Sequence, residues 1–152
     1  MADLGCGEGR HIIAAAELGC QVVGIDRDPV VLAVARRQAA AAGLPVRWLE
    51  LDLEGEWPAL GVFDAVLVFN YLDRANMPRI LQLVAPGGLL IMTLRHGPVP
   101  TGRIMFAVSA QETIGLAAEQ GLRLVLNVHA ESSQAANRDV GVSWTQLAFR
   151  RA

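Results

Sequence analysis

Three glycines and two aspartates have the spacing of a ligand site. Gly5, Gly7 and Gly9 remove side chains from one short turn, so the main chain can approach a ligand closely. Asp3 precedes the turn, and its carboxylate can accept hydrogen bonds from a cationic amino group or order the turn. Asp26 follows Gly5 by 21 residues, and a carboxylate there can accept two hydrogen bonds from the cis hydroxyls of a ribose. The glycines alone also fit a tight turn that needs positive φ, but the position of Asp26 favours a nucleoside-binding turn.

The charge of this turn distinguishes two classes of nucleoside ligand. A dinucleotide fingerprint requires a small residue where the chain has Arg10, because helix and strand pack closely there. Glu8 would also lie close to a pyrophosphate at the start of the following helix. An acidic turn suits a ligand that has no phosphates and carries positive charge. We therefore expect S-adenosylmethionine, which has a sulfonium and an ammonium group, and a nicotinamide oxidoreductase is disfavoured.

The turn must be positioned by strands and helices, and these alternate along the chain. Apolar and β-branched runs predict strands at residues 1–4, 21–25, 46–49, 64–69, 89–94, 122–129 and 142–149. Helical spacing with capping and stop signals predicts helices at residues 10–18, 28–42, 76–84 and 109–120. Repeated βαβ units require a parallel sheet, and no helix separates the last two strands. We predict one α/β domain over residues 1–152: a Rossmann-like, doubly wound, mostly parallel seven-stranded sheet, with helices on both faces and an antiparallel strand at one edge.

Composition excludes several classes of function. The formal net charge is −2 and no cluster of basic residues occurs, which argues against a nucleic-acid partner. No apolar run has the roughly 18–20 residues that a membrane span needs, and no signal peptide is evident. Cys6 and Cys20 form no CxxC pair, so neither a disulfide framework nor a metal site is expected. A cytoplasmic location is the default expectation.

Five segments, in the correct order, resemble the motifs of class I S-adenosylmethionine-dependent methyltransferases. They are Asp3–Arg10, Gly24–Pro29, Leu51–Leu53, Phe63–Phe69 and Leu83–Ile91. Within this family the chain is most similar to the small tellurite-resistance-type methyltransferases, on the evidence of residues 7–11 and 69–72.

The chain departs from this family's pattern at its start. Members usually carry a few dozen residues before the first motif, including helices that close over the cofactor, whereas Asp3 almost immediately follows Met1. Three explanations stay open: a truncation, cover supplied by a homodimer or partner chain, or a site without an efficient lid.

The resemblance also implies which residues form the site. By analogy, Asp52 lies beside the adenine, where the family's acid accepts from the exocyclic amine. The cofactor-binding set is Asp3, Gly5, Cys6, Gly7, Asp26, Arg27, Asp52, Leu53 and Phe69. The catalytic candidates, expected just beyond the fourth and fifth strands, are Asn70, Tyr71 and His96. His11 is interpreted as a packing residue.

The resemblance predicts an enzyme that transfers a methyl group by in-line displacement to a small-molecule acceptor. Because positive charge disperses in this reaction, positioning supplies much of the catalysis, and a base is needed only if the acceptor loses a proton. The alternative from another class is a non-catalytic, S-adenosylmethionine-binding regulatory domain that needs a partner. Turnover with an acceptor distinguishes the two.

Overall fold

A computed structural model describes residues 1–69, 71, 75–96, 110–131 and 143–152. Its seven strands are β1 (Ala2–Leu4), β2 (Val22–Asp26), β3 (Val46–Glu50), β4 (Phe63–Phe69), β5 (Val84–His96), β6 (Leu122–Glu131) and β7 (Ser143–Arg151). Its four helices are α1 (Arg10–Glu17), α2 (Pro29–Ala41), α3 (Met77–Gln82) and α4 (Ala110–Glu119). None of these helices is long and apolar enough to cross a membrane.

The seven strands form one sheet in the order β3-β2-β1-β4-β5-β7-β6. The pairings among β3, β2, β1, β4 and β5 are all parallel. β7 runs antiparallel to both β5 and β6, so it lies one place in from the edge that β6 forms. The predicted fold class is confirmed. The crossover between β1 and β4 places the carboxyl ends of β1, β2 and β4 around one crevice.

Helices cover the sheet through two separate apolar clusters. The smaller cluster joins α1 and α2 to β2 through Ile12, Leu32 and Val22, with Trp48 of β3 packed against it. The larger cluster contains side chains of α3, α4 and most strands, and Phe149 of β7 is its largest fully buried side chain. The alternation of side chains along β2 and β3 therefore divides these two strands between the two cores.

Two glycines allow the Trp48 ring to lie directly against the main chain. A Cβ added to Gly24 would come within 2.5 Å of two atoms of this ring, and one added to Gly9 within 2.6 Å. Gly9 also has a φ of 81°, which side-chain-bearing residues rarely adopt. The end of the glycine turn at Gly9 and strand β2 at Gly24 thus both pack closely against Trp48 of β3.

Most predicted boundaries agree with the structure to within two residues, and α2 begins as its capping signal indicates. The Asp28 carboxylate accepts a hydrogen bond from the Val30 N–H at 2.8 Å, and Pro29 takes the first helical position. The start of β5 is the exception. Pairing begins at Phe63 with Val84 and resumes only at Ala65 with Leu89.

The intervening Pro-Gly-Gly segment explains why the sequence predicted a later start for β5. The backbone folds tightly there, since a Cβ on Gly88 would lie 2.8 Å from the Ala85 oxygen and 3.0 Å from the Asp64 oxygen. These turn residues therefore interrupt β5 without ending it. The helix predicted over residues 76–84 is α3, and it ends at Gln82, before β5 begins at Val84.

Gly24→Ala tests the packing of Trp48. We expect it to lower the free energy of unfolding by about 1–3 kcal/mol, because the new methyl overpacks the ring. Gly115→Ala is the matched control: Gly115 lies in α4 with open space around it, so alanine should stabilise the helix by about 0.5–1 kcal/mol. Urea unfolding of both variants measures the difference. Equal stability of Gly24→Ala and the unaltered chain would contradict the packing described.

Candidate functional site

The glycine turn is hydrogen-bonded to the end of the neighbouring strand β2. The backbone N–H groups of Gly5 and Cys6 both donate to the Ile25 carbonyl, at 2.8 and 2.9 Å. The Gly7 N–H donates to Oδ2 of Asp26 at 2.8 Å. Because β1 and β2 are adjacent and parallel, the turn and the Asp26 carboxylate lie at one edge of the sheet.

Gly7 faces open space at the centre of this turn. Its φ is 54°, and the described residues place no atom within 4 Å of a Cβ built there, beyond its chain neighbours. A cavity of about 350 Å³ opens beside the turn. It is lined by Gly5, Cys6, Gly7, Glu8, Arg10, His11 and Phe69. The main chain therefore faces the cavity at Gly7.

Asp26 orders the turn and keeps acceptor capacity for a ligand. Its Oδ1 accepts from the Asp28 N–H at 3.0 Å, while its Oδ2 accepts from Gly7. A carboxylate has about four acceptor positions, so two of them remain. The side chain is only partly buried, which leaves these positions reachable.

Asp3 is the most deeply buried acid among the described residues, at 1% exposure. Within the described part of the chain, neither of its carboxylate oxygens has a hydrogen-bond partner. Burial, with a smaller effect of the Asp26 charge, raises the pKa of Asp3 from 3.8 to about 7. A buried acid of this kind is suited to pair with a cationic group of a ligand.

His11 lies between Asp3 and the cavity. Its Nδ1 is 3.7 Å from Oδ2 of Asp3, and its ring stacks against Phe69 with centroids 4.3 Å apart. Burial, and secondarily the Arg10 charge, lowers the pKa of His11 from its ordinary value of 6.5. The sequence prediction of a packing role overlooked this position. Side chains of a helix lean toward its N-terminus, so a residue in the first turn of α1 reaches back over the end of β1.

The loop after β3 brings a second acidic group to the same edge. Oδ1 of Asp52 accepts from the Glu54 N–H at 3.0 Å, and the side chain is 55% exposed. The Arg27 guanidinium lies 3.2 Å from Glu54 Oε2 and 4.0 Å from Asp52 Oδ1. Arg27 thus links the end of β2 to this loop through exposed ion pairs, which contribute little stability individually.

Buried contacts from α3 fix the same loop more firmly. Asn76 Nδ2 donates to the Leu53 carbonyl at 2.8 Å, and both groups lie in the interior. Arg79 donates to the Trp57 carbonyl at 3.0 Å, and its guanidinium lies 4.2 Å above the Trp57 ring. The Leu53 side chain is 4% exposed and belongs to the larger core, so its side chain faces away from the cavity.

Of the remaining predicted residues, Tyr71 and Cys6 can be placed at the turn, whereas the Asn70 and His96 side chains cannot be described. Tyr71 lies against the turn, since a Cβ on Gly5 would be 3.0 Å from its Cβ. Burial raises the pKa of the Cys6 thiol to about 12, so the thiol is protonated at neutral pH. Asn70 lies outside the described residues. His96 is the last residue of β5, and its side chain is outside the description. In the described ranges, no group of three or more His, Cys, Asp or Glu side chains could hold a metal ion.

Comparison with known proteins places this geometry in a family. The profile of the family described as "Methyltransferase domain" matches residues 1–88. The chain is 41% identical over 108 residues to demethylmenaquinone methyltransferase of Thermus thermophilus. The matched segment covers 66% of this chain and 48% of that protein. It is 40% identical over 93 residues to ribosomal protein L11 methyltransferase of the same organism, covering 60% of this chain and 36% of that protein. The chain thus spans less than half the length of these curated relatives.

Solved structures show the same fold. TehB from Haemophilus influenzae superposes with a TM-score of 0.78 at 16% identity, over 99% of this chain and 57% of that chain. This likeness of fold agrees with the resemblance seen in the sequence. The family profile covers the glycine turn, Asp26, Asp52 and strands β1 to β4, which together build the crevice. The chain therefore belongs to the family of methyltransferase domains.

Proposed function

We propose that this chain binds S-adenosylmethionine in the crevice and transfers its methyl group to a small-molecule acceptor. The observation that carries the proposal is the combination of a buried carboxylate at Asp3, which accepts no hydrogen bond from the described residues, with an open main-chain turn at Gly7. A ligand that brings its own positive charge satisfies the first feature, and a ligand that packs on the backbone uses the second. S-adenosylmethionine has both properties.

The residues fit this cofactor from one end to the other. Asp3 would pair with the cationic methionine portion next to the cavity. Asp26 has two acceptor positions left for the ribose hydroxyls, and Asp52 offers an exposed acceptor for the adenine amine. Leu53, whose side chain is buried in the core, could contribute only through its main chain.

The chemistry needs few protein groups. When bound, S-adenosylmethionine supplies an electrophilic methyl group to a nucleophile aligned behind it. The chain's part is to bind, orient and exclude water, which accounts for much of the rate in such displacements. Phe69 and Tyr71 form apolar walls at the ends of the turn. Asn70 and His96 stay proposals as acceptor-side groups.

Features of the cavity wall argue against a nicotinamide dinucleotide. Glu8 and Arg10 both line the cavity, and they occupy places where a pyrophosphate needs a neutral or basic turn and a small residue. The non-catalytic alternative uses the same cofactor site. It differs in one outcome, since it predicts binding of S-adenosylmethionine without turnover of any acceptor.

Asp26→Ala tests the cofactor site. We expect it to weaken binding of S-adenosylmethionine by about tenfold or more, because two hydrogen bonds to the ribose are lost and Gly7 loses its partner. Isothermal titration calorimetry measures the affinity, and a thermal melt confirms that the variant is folded. Asp64→Asn, an exposed acid at the start of β4, is the control and should bind like the unaltered chain. Unchanged affinity in Asp26→Ala would refute this placement of the ribose.

Asp3→Asn tests whether the buried acid is retained for a ligand at the expense of stability. Because the pKa of Asp3 is raised on folding from 3.8 to about 7, the folded chain loses stability as pH rises through this range. The unliganded variant should therefore be more stable than the unaltered chain by roughly 1–3 kcal/mol at pH 8 and by almost nothing near pH 4. Urea unfolding at the two pH values measures this. An equal gain in the free energy of unfolding at both pH values would show that the charge of Asp3 does not cause the difference in stability.

A further inference from the structure

The acid best suited to bind a cation is not itself on the cavity wall. Asp3 is 1% exposed, whereas His11 lines the cavity, is about one-third exposed, and lies 3.7 Å from the Asp3 carboxylate. The Phe69 ring stacks on His11 from the end of β4. The imidazole therefore covers the carboxylate, and a cation that pairs directly with Asp3 must displace it.

The titratable groups around this pair come from β2, the glycine turn and α1. β2 contributes Asp26, the glycine turn contributes Cys6 and Glu8, and α1 contributes Arg10 beside His11. From β4, the described side chain facing the pair is Phe69, which does not titrate. The carboxylate of Asp26 and the cation of Arg10 both oppose formation of an additional like charge nearby. Asp3 is accordingly held toward its neutral acid form and His11 toward its neutral base form.

We propose that His11 is a positioning residue for Asp3, and that binding of a ligand ammonium group moves the ring aside and expels one proton from the Asp3–His11 pair. This inference rests on the proposed cofactor site. Before binding, the proton resides on the Asp3 carboxyl. On binding, the ligand's ammonium forms an ion pair with the Asp3 carboxylate, the O–H bond breaks, and the proton passes to solvent by way of the neighbouring imidazole. The charge of the buried site is then balanced by the ligand.

The proton count is measured by calorimetry with two probes. S-adenosylhomocysteine has the ammonium group, and 5′-methylthioadenosine has the same nucleoside without it. Titrations at pH 6.5 are carried out in phosphate and in bis-Tris, which have different ionisation enthalpies. The difference in binding heat between the two buffers, divided by the difference in ionisation enthalpy, gives the number of protons released. We expect release approaching one proton with S-adenosylhomocysteine and none with 5′-methylthioadenosine. The affinity for S-adenosylhomocysteine should rise from pH 5.5 to about 7 and then level off, by up to about tenfold per pH unit.

Variants of His11 separate positioning from simple packing. His11→Phe keeps a ring against Phe69 but places no polar group beside Asp3, so the pH midpoint for S-adenosylhomocysteine binding should move upward. Affinity at pH 6.5 should then fall several-fold and recover at pH 8, while affinity for 5′-methylthioadenosine is unchanged. His11→Gln restores a hydrogen-bonding group and should return the midpoint toward that of the unaltered chain. His129→Gln, a second imidazole on β6 that contacts Thr145, is the control and should leave the profile unchanged.

Three outcomes would overturn the inference. One is binding of S-adenosylhomocysteine with no proton release, and another is a pH profile that does not move in His11→Phe. The third is an equal loss of both ligands in that variant, which indicates general damage to the pocket. If the folded, unaltered chain binds neither probe, the proposed function fails as well, so the two failures can be told apart.

Discussion

The attachment of the glycine turn to the end of β2 is the constraint on which the site depends. Two N–H groups of the turn share the Ile25 carbonyl, and a third donates to Asp26. The turn held in this way has no room for a side chain at two positions, because Tyr71 lies over Gly5 and Trp48 lies over Gly9. At Gly7, by contrast, no described residue occupies the space that a side chain would take, beyond the chain neighbours. One set of hydrogen bonds thus orders the acid, shapes the backbone and opens the crevice.

A stability cost accompanies this arrangement. An ionised carboxylate without a partner is unfavourable in a protein interior, and among the described side chains the possible cation next to Asp3 is the His11 imidazole at 3.7 Å. The apolar surroundings provide the compensation: strand side chains divide between two cores, and Ala2 and Leu4 on either side of Asp3 are fully buried. Sites that bind charged ligands commonly retain such strained electrostatics, because the ligand relieves them.

The two acids proposed to bind the nucleoside, Asp26 and Asp52, are held in different ways. Asp26 is fixed by backbone donors from the turn and from the start of α2. The Asp52 loop instead depends on α3, through the buried bond from Asn76 to the Leu53 carbonyl and the contacts of Arg79 with Trp57. In the described structure α3 contributes no residue to the cavity wall, yet it sets the position of Asp52, and nothing in the spacing of its residues indicated this.

The sequence by itself determined the order of strands and helices, the parallel sheet and the glycine turn, because periodicity, capping and glycine placement are local properties. It also singled out Asp3 and Asp26 as candidates, because they lie in or beside the turn pattern. Only the tertiary structure decided that β5 pairs from Val84 through a Pro-Gly-Gly excursion, and that His11 covers Asp3. Both depend on contacts between elements distant in the chain. The energy of a buried charge, in particular, is set by every group that packs around it, which no local pattern encodes.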